Sequence, residues 1–408
     1  MAVHHSTRPF TPGTASLVSF AEEVFGYLPR ADQRRWAHAY LEGLLTTPGK
    51  KTVRRLAAAV SASPTASQSL HQFVNASPWD WGPALRSLAH WTLRRTVPRA
   101  WTIGTVVVPK RGESSVGVHR RFDPASGRTV NCQFGVGIFL STDTEPVPLG
   151  WRILLPSRWT DDDTLRERAR IPESSVGDRP ASAQVLDLVH TLHSRTAATP
   201  LPVVADMSSC TEAASLIRGL DRAGCDFVVA VPPALAVLPG GRPRGDGQDA
   251  PVPVRRLVYQ GDGFGEVPAP LGAPGAAPAG QPRRLLNALV RLPERPGART
   301  GTTTPPAYRA FARRVPGRQA DEPVWVTNLT RHSAEELVAL TGHHARTTGA
   351  LRTLEDDFGL RDFEGRSFPG WHHHMTLVSA AFAYSRLADA ATATAARVDR
   401  PLAVVRSA

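Results

Sequence analysis

The sequence predicts an α/β fold with a ribonuclease-H-like core, and the order of its apolar runs carries that prediction. Three runs rich in β-branched residues lie close together at 101–109, 115–122 and 131–140, and turn residues between them predict an antiparallel meander with the first strand inside. A fourth run at 201–206 ends in an aspartate and precedes a predicted helix at 211–223, after which another strand follows. Three antiparallel strands, then strand, helix and strand, is the order of a ribonuclease-H-like core.

The first 95 residues predict a helical domain, because apolar residues recur at three- and four-residue spacing between prolines and glycines. Basic residues crowd this domain, with few acids beside them in the sequence. They are Arg34, Arg35, Lys50, Lys51, Arg54 and Arg55, and two more, Lys110 and Arg111, follow the first strand. Such a cluster favours contact with DNA phosphates. The alternative is a solvated helical face.

The rest of the chain divides by composition. The predicted parts are 96–232 as the first part of the core, 233–300 as a β-rich insertion with Pro/Gly-rich flexible loops, 301–390 as the closing part of the core, and 391–408 as a C-terminal tail. Residues 253–259 and 286–292 predict short strands inside the insertion. Ser333 and Glu336 have capping-box spacing at the start of a helix.

Composition favours a nucleic-acid partner. The 408 residues carry a formal net charge of +12, and nearly all the cations are arginine, which suits bidentate phosphate contact. The alternative explanation is a codon bias of the genome that favours arginine. The three cysteines lack paired spacing, and no run reaches the length of a membrane span. We therefore expect a soluble cytoplasmic protein with DNA as partner, no membrane contact, and a homodimer as a possible assembly.

Several segments resemble one family. They are 101–118, the Asn-Cys-Gln of 131–133, the Leu-Gly-Trp-Arg of 149–152, and the closing Phe-Glu-Gly-Arg-Ser-Phe-Pro-Gly-Trp-His-His-His of 363–374. Together they resemble insertion-sequence transposases of the DDE superfamily, in the branch typified by insertion sequence seven-oh-one. The resemblance covers most of the chain, from about residue 40 to 384. It implies a helical N-terminal part that holds DNA ends and a core that cuts and joins DNA with two divalent ions.

The resemblance also implies three metal-binding acids, of which one is clearly present. Asp206 ends the fourth strand, where the family has its second aspartate. The first strand has Gly104 in place of the first aspartate, and Thr348 stands where the family has its glutamate. A single carboxylate cannot bridge two magnesium ions. We therefore predict no metal site and no cofactor, with Mg²⁺ entering only if transposase activity is retained. Glu355 and its neighbours offer a displaced alternative.

Cys210 offers a metal-free alternative. It follows Asp206 at the predicted start of a helix, where the helix dipole lowers a thiol pKa. With Asp206 and one of the histidines at 372–374 it could form a nucleophilic set. The alternative is a buried cysteine.

Two other runs invite a metal interpretation. Three adjacent aspartates at 161–163 suggest a cation site, but they also suit the cap of the following helix. The histidines at 372–374 point about 100° apart on a helix, so they cannot chelate one ion together. A cap and a packing role are the preferred interpretations.

These observations predict a transposase-like DNA-binding protein, domesticated and lacking most strand-transfer activity. Two alternatives stay open: an active DDE transposase with displaced metal ligands, and a metal-free enzyme that uses Cys210 on a small substrate.

Overall fold

The computed structural model describes residues 14–123, 126–177, 179–195, 200–240, 250–261, 263–267, 283–293, 306–314 and 322–388. The described strands join in one mixed sheet of twelve strands. The strands are β1 (Pro98–Pro109), β2 (His119–Asp123), β3 (Arg128–Thr142), β4 (Val147–Ile153), β5 (Val203–Asp206), β6 (Phe227–Val231), β7 (Ala236–Pro239), β8 (Val252–Pro253), β9 (Gly263–Val267), β10 (Arg283–Arg291), β11 (Tyr308–Arg314) and β12 (Val324–Thr327).

Helices cover both faces of the sheet and form the N-terminal part. They are α1 (Thr14–Phe25), α2 (Ala31–Thr46), α3 (Val53–Val60), α4 (Ala66–Asn75), α5 (Trp81–Leu93), α6 (Ser157–Asp161), α7 (Asp163–Ala169), α8 (Ala181–Arg195), α9 (Ala213–Arg222), α10 (Val254–Gln260), α11 (Ala334–Asp357) and α12 (Phe368–Leu387), with a 3₁₀ turn at Glu173–Ser175.

The central strands lie in the order β4-β3-β1-β5-β6. Strand β1 pairs antiparallel with β3 and parallel with β5, β3 pairs antiparallel with β4, and β5 pairs parallel with β6. The first strand is therefore internal, as predicted. Its antiparallel neighbour is β3, however, because the run at 115–122 forms only the short β2, which pairs with the start of β3. The third antiparallel strand is β4. Its Pro148 and Gly150 weaken the strand pattern in the sequence, so it was not predicted.

The segment after residue 232 extends the same sheet. Strand β6 pairs antiparallel with β12, and β11, β10 and β7 follow outward. The predicted strand at 286–292 overlaps β10, which begins three residues earlier and ends at Arg291. The predicted strand at 253–259 is wrong, since these residues form the helix α10. Val254 and Val258 are buried at helical i, i+4 spacing, whereas Arg256 between them is exposed, although an alternating strand would bury it on the same face.

Helices α11 and α12 pack on one face of the sheet, and α8 covers the opposite face. A Cβ at Gly104 would meet Leu351 of α11, and a Cβ at Gly135 on the same face would meet Trp371 of α12. Helix α11 starts with the predicted capping box, in which the Ser333 hydroxyl accepts the Glu336 amide. It continues unbroken for 24 residues.

No helix in the described part of the chain is long and apolar enough to cross a bilayer.

The aspartates at 161–163 cap a helix, as preferred above. The Asp162 carboxylate accepts the backbone N–H of Leu165 at 3.0 Å, at the start of α7. Negative charge at this end also interacts favourably with the helix dipole.

The three consecutive histidines of α12 join the sheet to the N-terminal helices. The His372 ring stacks on Trp81 at 4.6 Å between centroids, and the His373 ring stacks on Trp79 at 3.8 Å. All three rings lie within hydrogen-bonding distance of backbone carbonyls. Burial lowers the pKa of His372 to about 3 and the pKa of His374 to about 4. Their role is packing, as the sequence analysis preferred.

Stability is expected to fall as the pH is lowered from 7.5 to 5. His372 and His374 titrate near pH 6.5 in an unfolded chain, and burial lowers both pKa values in the folded protein. The unfolded state therefore binds protons first, and stability is lost from about pH 6.5 down to the folded pKa, at up to about 1.4 kcal/mol per pH unit for each histidine. Urea unfolding across this range measures the slope. His374→Gln should flatten it and the exposed His71→Gln should not; equal slopes in both variants would contradict the assignment.

Candidate functional site

The candidate site lies where β1 and β5 run side by side. The parallel register pairs Thr102 with Val204. Two residues further along each strand are Gly104 and Asp206, so the register brings these two positions level on neighbouring strands. By the resemblance described above, these are the positions of the first and second acids of the DDE set.

Asp206 is held by its own turn and by a histidine. One carboxylate oxygen accepts the backbone N–H of Ser208 at 2.8 Å, and the other lies 3.7 Å from Nε2 of His344 on α11. The Asp206 side chain remains 37% exposed. Burial lowers the pKa of His344, and the nearby Asp206 charge opposes that shift only in part. At neutral pH the contact therefore joins a carboxylate to a neutral ring.

His344 was missed by sequence reasoning. One signal could have found it, because His344 stands four residues before Thr348, the position assigned to the third acid, and so lies on the same helix face.

Apolar packing fills the space in front of Gly104. A Cβ added there would lie 2.6 Å from Cδ1 of Leu351 and 3.1 Å from the ring of Phe139. One turn earlier on α11, the hydroxyl oxygens of Thr102 and Thr347 lie 2.6 Å apart in the core. An aspartate side chain at this position would therefore require the Leu351 side chain to move.

The third position of the set and the displaced alternative supply no carboxylate here. Thr348 is half-buried and its hydroxyl donates to the backbone carbonyl of His344. Glu355 lies two turns further along α11 and forms an ion pair with Arg361 at 2.7 Å. Burial raises the pKa of Glu355, although Arg361 opposes the shift. Its carboxylate is thus engaged near the end of the helix.

The residues present do not fit a two-metal centre. Such a centre needs several carboxylates that share two ions a few ångströms apart. Among the described residues, no group of three or more His, Cys, Asp or Glu side chains has an arrangement that could hold a metal ion. Asp206 with a single neutral histidine is a poor donor set for Mg²⁺, which prefers oxygen ligands.

Two features of the structure count against the expectation of an activated Cys210 thiol. Helix α9 begins only at Ala213, with Glu212 as its N-cap, so Cys210 precedes the helix rather than starting it. Burial raises the pKa of the Cys210 thiol, and a hydrogen bond with Ser209 opposes this shift only in part. The histidine beside Asp206 is His344, while those at 372–374 pack against the N-terminal helices. Cys210 as a nucleophile stays an untested prediction.

The predicted DNA-contacting cations divide into exposed and engaged groups. The exposed ones are Arg35, Lys50, Arg54, Arg55 and Arg111. Lys51 is only 4% exposed, and its ammonium donates to the carbonyl of Thr47. The Lys110 ammonium donates to the carbonyl of Phe363, and burial lowers its pKa to about 8. Arg34 is half-buried and donates to the carbonyl of Leu28. Of these eight cations, the exposed ones are those that can reach DNA, although Arg55 also donates to the carbonyl of Pro48.

Acids from a distant part of the sequence surround the engaged lysines. Burial lowers the pKa of Lys51, and the nearby Asp357 and Asp362 oppose that shift only in part. Asp362 also accepts the Lys51 backbone N–H at 2.7 Å. Glu364 and Asp362 act likewise on Lys110. The fold therefore brings acids from residues 357–364 to these two lysines, although few acids lie beside the basic cluster in the sequence.

Comparisons with known proteins give one family match and one similar solved structure. A family model described as DDE superfamily endonuclease matches residues 23–284, more than half of the chain. Among solved structures, the cryo-EM structure of the piggyBac transposase synaptic complex with hairpin DNA is similar at a TM-score of 0.44 and 10% sequence identity, over 94% of this chain and 73% of that one. No curated protein matches the sequence. The family match shows that the chain belongs to the DDE superfamily of endonucleases.

Proposed function

We propose that this protein is a transposase-derived DNA-binding protein whose ribonuclease-H-like core has lost most or all of its strand-transfer chemistry. One observation carries the proposal. Gly104 stands level with Asp206 where a second carboxylate is needed, and Leu351 fills the space that an aspartate side chain would take. A site packed in this way lacks the carboxylates that are needed to bind two divalent ions.

Charge supports the DNA-binding half of the proposal. The net charge of +12 favours anionic partners. Lys50, Arg54 and Arg55 are exposed at or near the start of α3, and Arg35 and Arg111 are exposed as well. A homodimer and a cytoplasmic location are consistent with such a role and stay predictions.

DNA binding without cleavage is the expected result for the purified protein. Fluorescence anisotropy with labelled duplexes from the flanks of the gene should show DNA binding. The logarithm of the association constant should fall linearly with the logarithm of the salt concentration, with a slope of about 0.9 for each phosphate contacted. Incubation of the same duplexes with Mg²⁺ or Mn²⁺ should leave both strands intact.

Two results would overturn the proposal in different ways. Metal-dependent nicking that disappears in Asp206→Asn would show an active transposase with displaced ligands. Absence of DNA binding at low salt would remove the DNA-binding role. A metal-free enzyme built on Cys210 has less support. Burial raises the pKa of the Cys210 thiol, and the histidine beside Asp206 is His344 of α11 rather than one of the histidines at 372–374.

A further inference from the structure

A cavity of about 410 Å³ lies between the N-terminal helices and the core. Helix α5, strand β4, helix α8 and the start of α12 form its walls, and the 3₁₀ turn at Glu173–Ser175 lies at its rim. None of its lining residues belongs to the candidate site around Asp206. The volume falls in the range of small-molecule sites, which is roughly 300–1,000 Å³.

One wall of the cavity carries a buried amide without a protein partner. Gln184 on α8 is only 6% exposed and lines the cavity. Its side chain makes no hydrogen bond with any described residue, whereas its backbone N–H donates to the carbonyl of Pro180. The amide atoms are not among the fully buried unpaired polar atoms of the described residues, so they have access to the space of the cavity. The amide is therefore available to a bound molecule, to which it can both donate and accept.

A second polar atom comes from His372. Its Nδ1 lies 3.0 Å from the carbonyl of Phe368, and because a carbonyl only accepts, Nδ1 carries the proton. Burial lowers the His372 pKa, so the ring is neutral at physiological pH. Nε2 of this cavity-lining ring is then an acceptor.

Two arginines of the cavity share one carboxylate. Nε of Arg152 donates to Asp187 at 2.8 Å, and Arg179 lies 3.6 Å from the other oxygen of the same carboxylate. All three side chains line the cavity and are half-buried. Two guanidinium groups on one carboxylate leave one positive charge in excess at this wall, which the Asp80 carboxylate elsewhere in the lining balances. Nη1 of Arg152 also donates to the carbonyl of Trp151, and the remaining guanidinium N–H groups are the donors that suit an oxyanion. Asp80 also lines the cavity, and one oxygen of its carboxylate accepts the N–H of Gly82 at 2.8 Å.

The remaining walls are apolar and aromatic. Trp81 and Phe368 line one side, with leucines of α8 and β4 opposite. Such walls suit a planar or branched apolar body, whose burial contributes about 25 cal/mol for each Å² of apolar surface removed from water.

We propose that this cavity binds a small organic oxyanion, a carboxylate or a phosphate ester carried on an aromatic or branched apolar body. The oxyanion pairs with Arg152 and Arg179, the body lies against Trp81 and Phe368, and the Gln184 amide bonds to a polar group of the ligand. The inference does not depend on DNA binding.

Isothermal titration of the full chain tests the proposal with three probes. Benzoate and phenyl phosphate should bind, whereas the neutral benzyl alcohol should bind at least tenfold more weakly. The ratio of the two anion affinities distinguishes a carboxylate from a phosphate ester. Gln184→Leu and Arg179→Gln should each weaken anion binding about tenfold, and Gln72→Leu, at an exposed position of α4, should have no effect.

Unfolding of the ligand-free variants separates binding from folding. Because the Gln184 amide has no protein partner, Gln184→Leu should leave the stability of the ligand-free protein unchanged or raise it. Failure of both anions to bind would overturn the proposal, and so would binding that is unaffected by Gln184→Leu and Arg179→Gln. A loss of stability in ligand-free Gln184→Leu would assign the amide a structural role and would also overturn it.

Discussion

Replacing Gly104 by aspartate is expected to destabilise the protein by about 3 kcal/mol or more, since overpacking a core costs about 1–3 kcal/mol and an unpaired buried carboxylate adds to it. The new Cβ alone would lie 2.6 Å from Leu351, before any carboxylate is placed. Urea unfolding of Gly104→Asp and of Gly104→Ala measures the two contributions. The alanine variant should be the less destabilised of the two, because it adds only the methyl group.

Leu351→Ala is the matched partner for this substitution. Alone it should cost about 2–5 kcal/mol, as other large-to-small core changes do. Together with Gly104→Asp it opens the space that the aspartate needs, so the double variant should be more stable than the sum of the single effects by about 1–2 kcal/mol. Strict additivity would contradict the inference that Leu351 occupies the place of a lost carboxylate.

A third substitution extends the same experiment to metal binding. With Thr348→Glu added to the double variant, three carboxylates would lie at the edge that now holds Asp206 alone. Mn²⁺ should then raise the unfolding temperature, because an ion that binds only the folded state stabilises it. The wild-type protein should show no such shift, and a shift in the wild type would mean that the existing residues already bind the ion.

The central strands could be predicted from sequence because their signals are local. Strands β1, β3 and β5 are runs rich in β-branched residues, and Asp206 ends one of them, so its place at the edge of the sheet followed from chain order. Strand β4 carries Pro148 and Gly150, residues that weaken the strand pattern, and its place in the sheet is set by pairing with β3.

The electrostatics of the site could not be predicted from sequence for a different reason. Lys51 and Lys110 sit among basic neighbours in the sequence, but in the fold they meet Asp362, Asp357 and Glu364, more than 240 residues away along the chain. Local charge counting therefore overstates the basic surface. Likewise, only helix packing brings His344 beside Asp206.

Removing the exposed cations of the α3 region should weaken DNA binding strongly. Lys50, Arg54 and Arg55 are all exposed, although one guanidinium nitrogen of Arg55 donates to the carbonyl of Pro48. With Lys50, Arg54 and Arg55 all changed to glutamine, the affinity should fall about 100-fold or more, since a hydrogen bond to a charged group contributes about 1.5 kcal/mol or more. Three lost phosphate contacts should also reduce the salt slope by about 2–3.

The matched control replaces three exposed arginines elsewhere, Arg86, Arg168 and Arg222, by glutamine. The two triple variants have the same net charge, so they lose the same long-range attraction to DNA and differ only in which contacts are removed. Anisotropy titrations at several salt concentrations should show the larger loss of affinity and of slope in the α3 variant. Equal losses would mean that the +12 charge acts as a diffuse field and that the α3 region holds no DNA contact of its own.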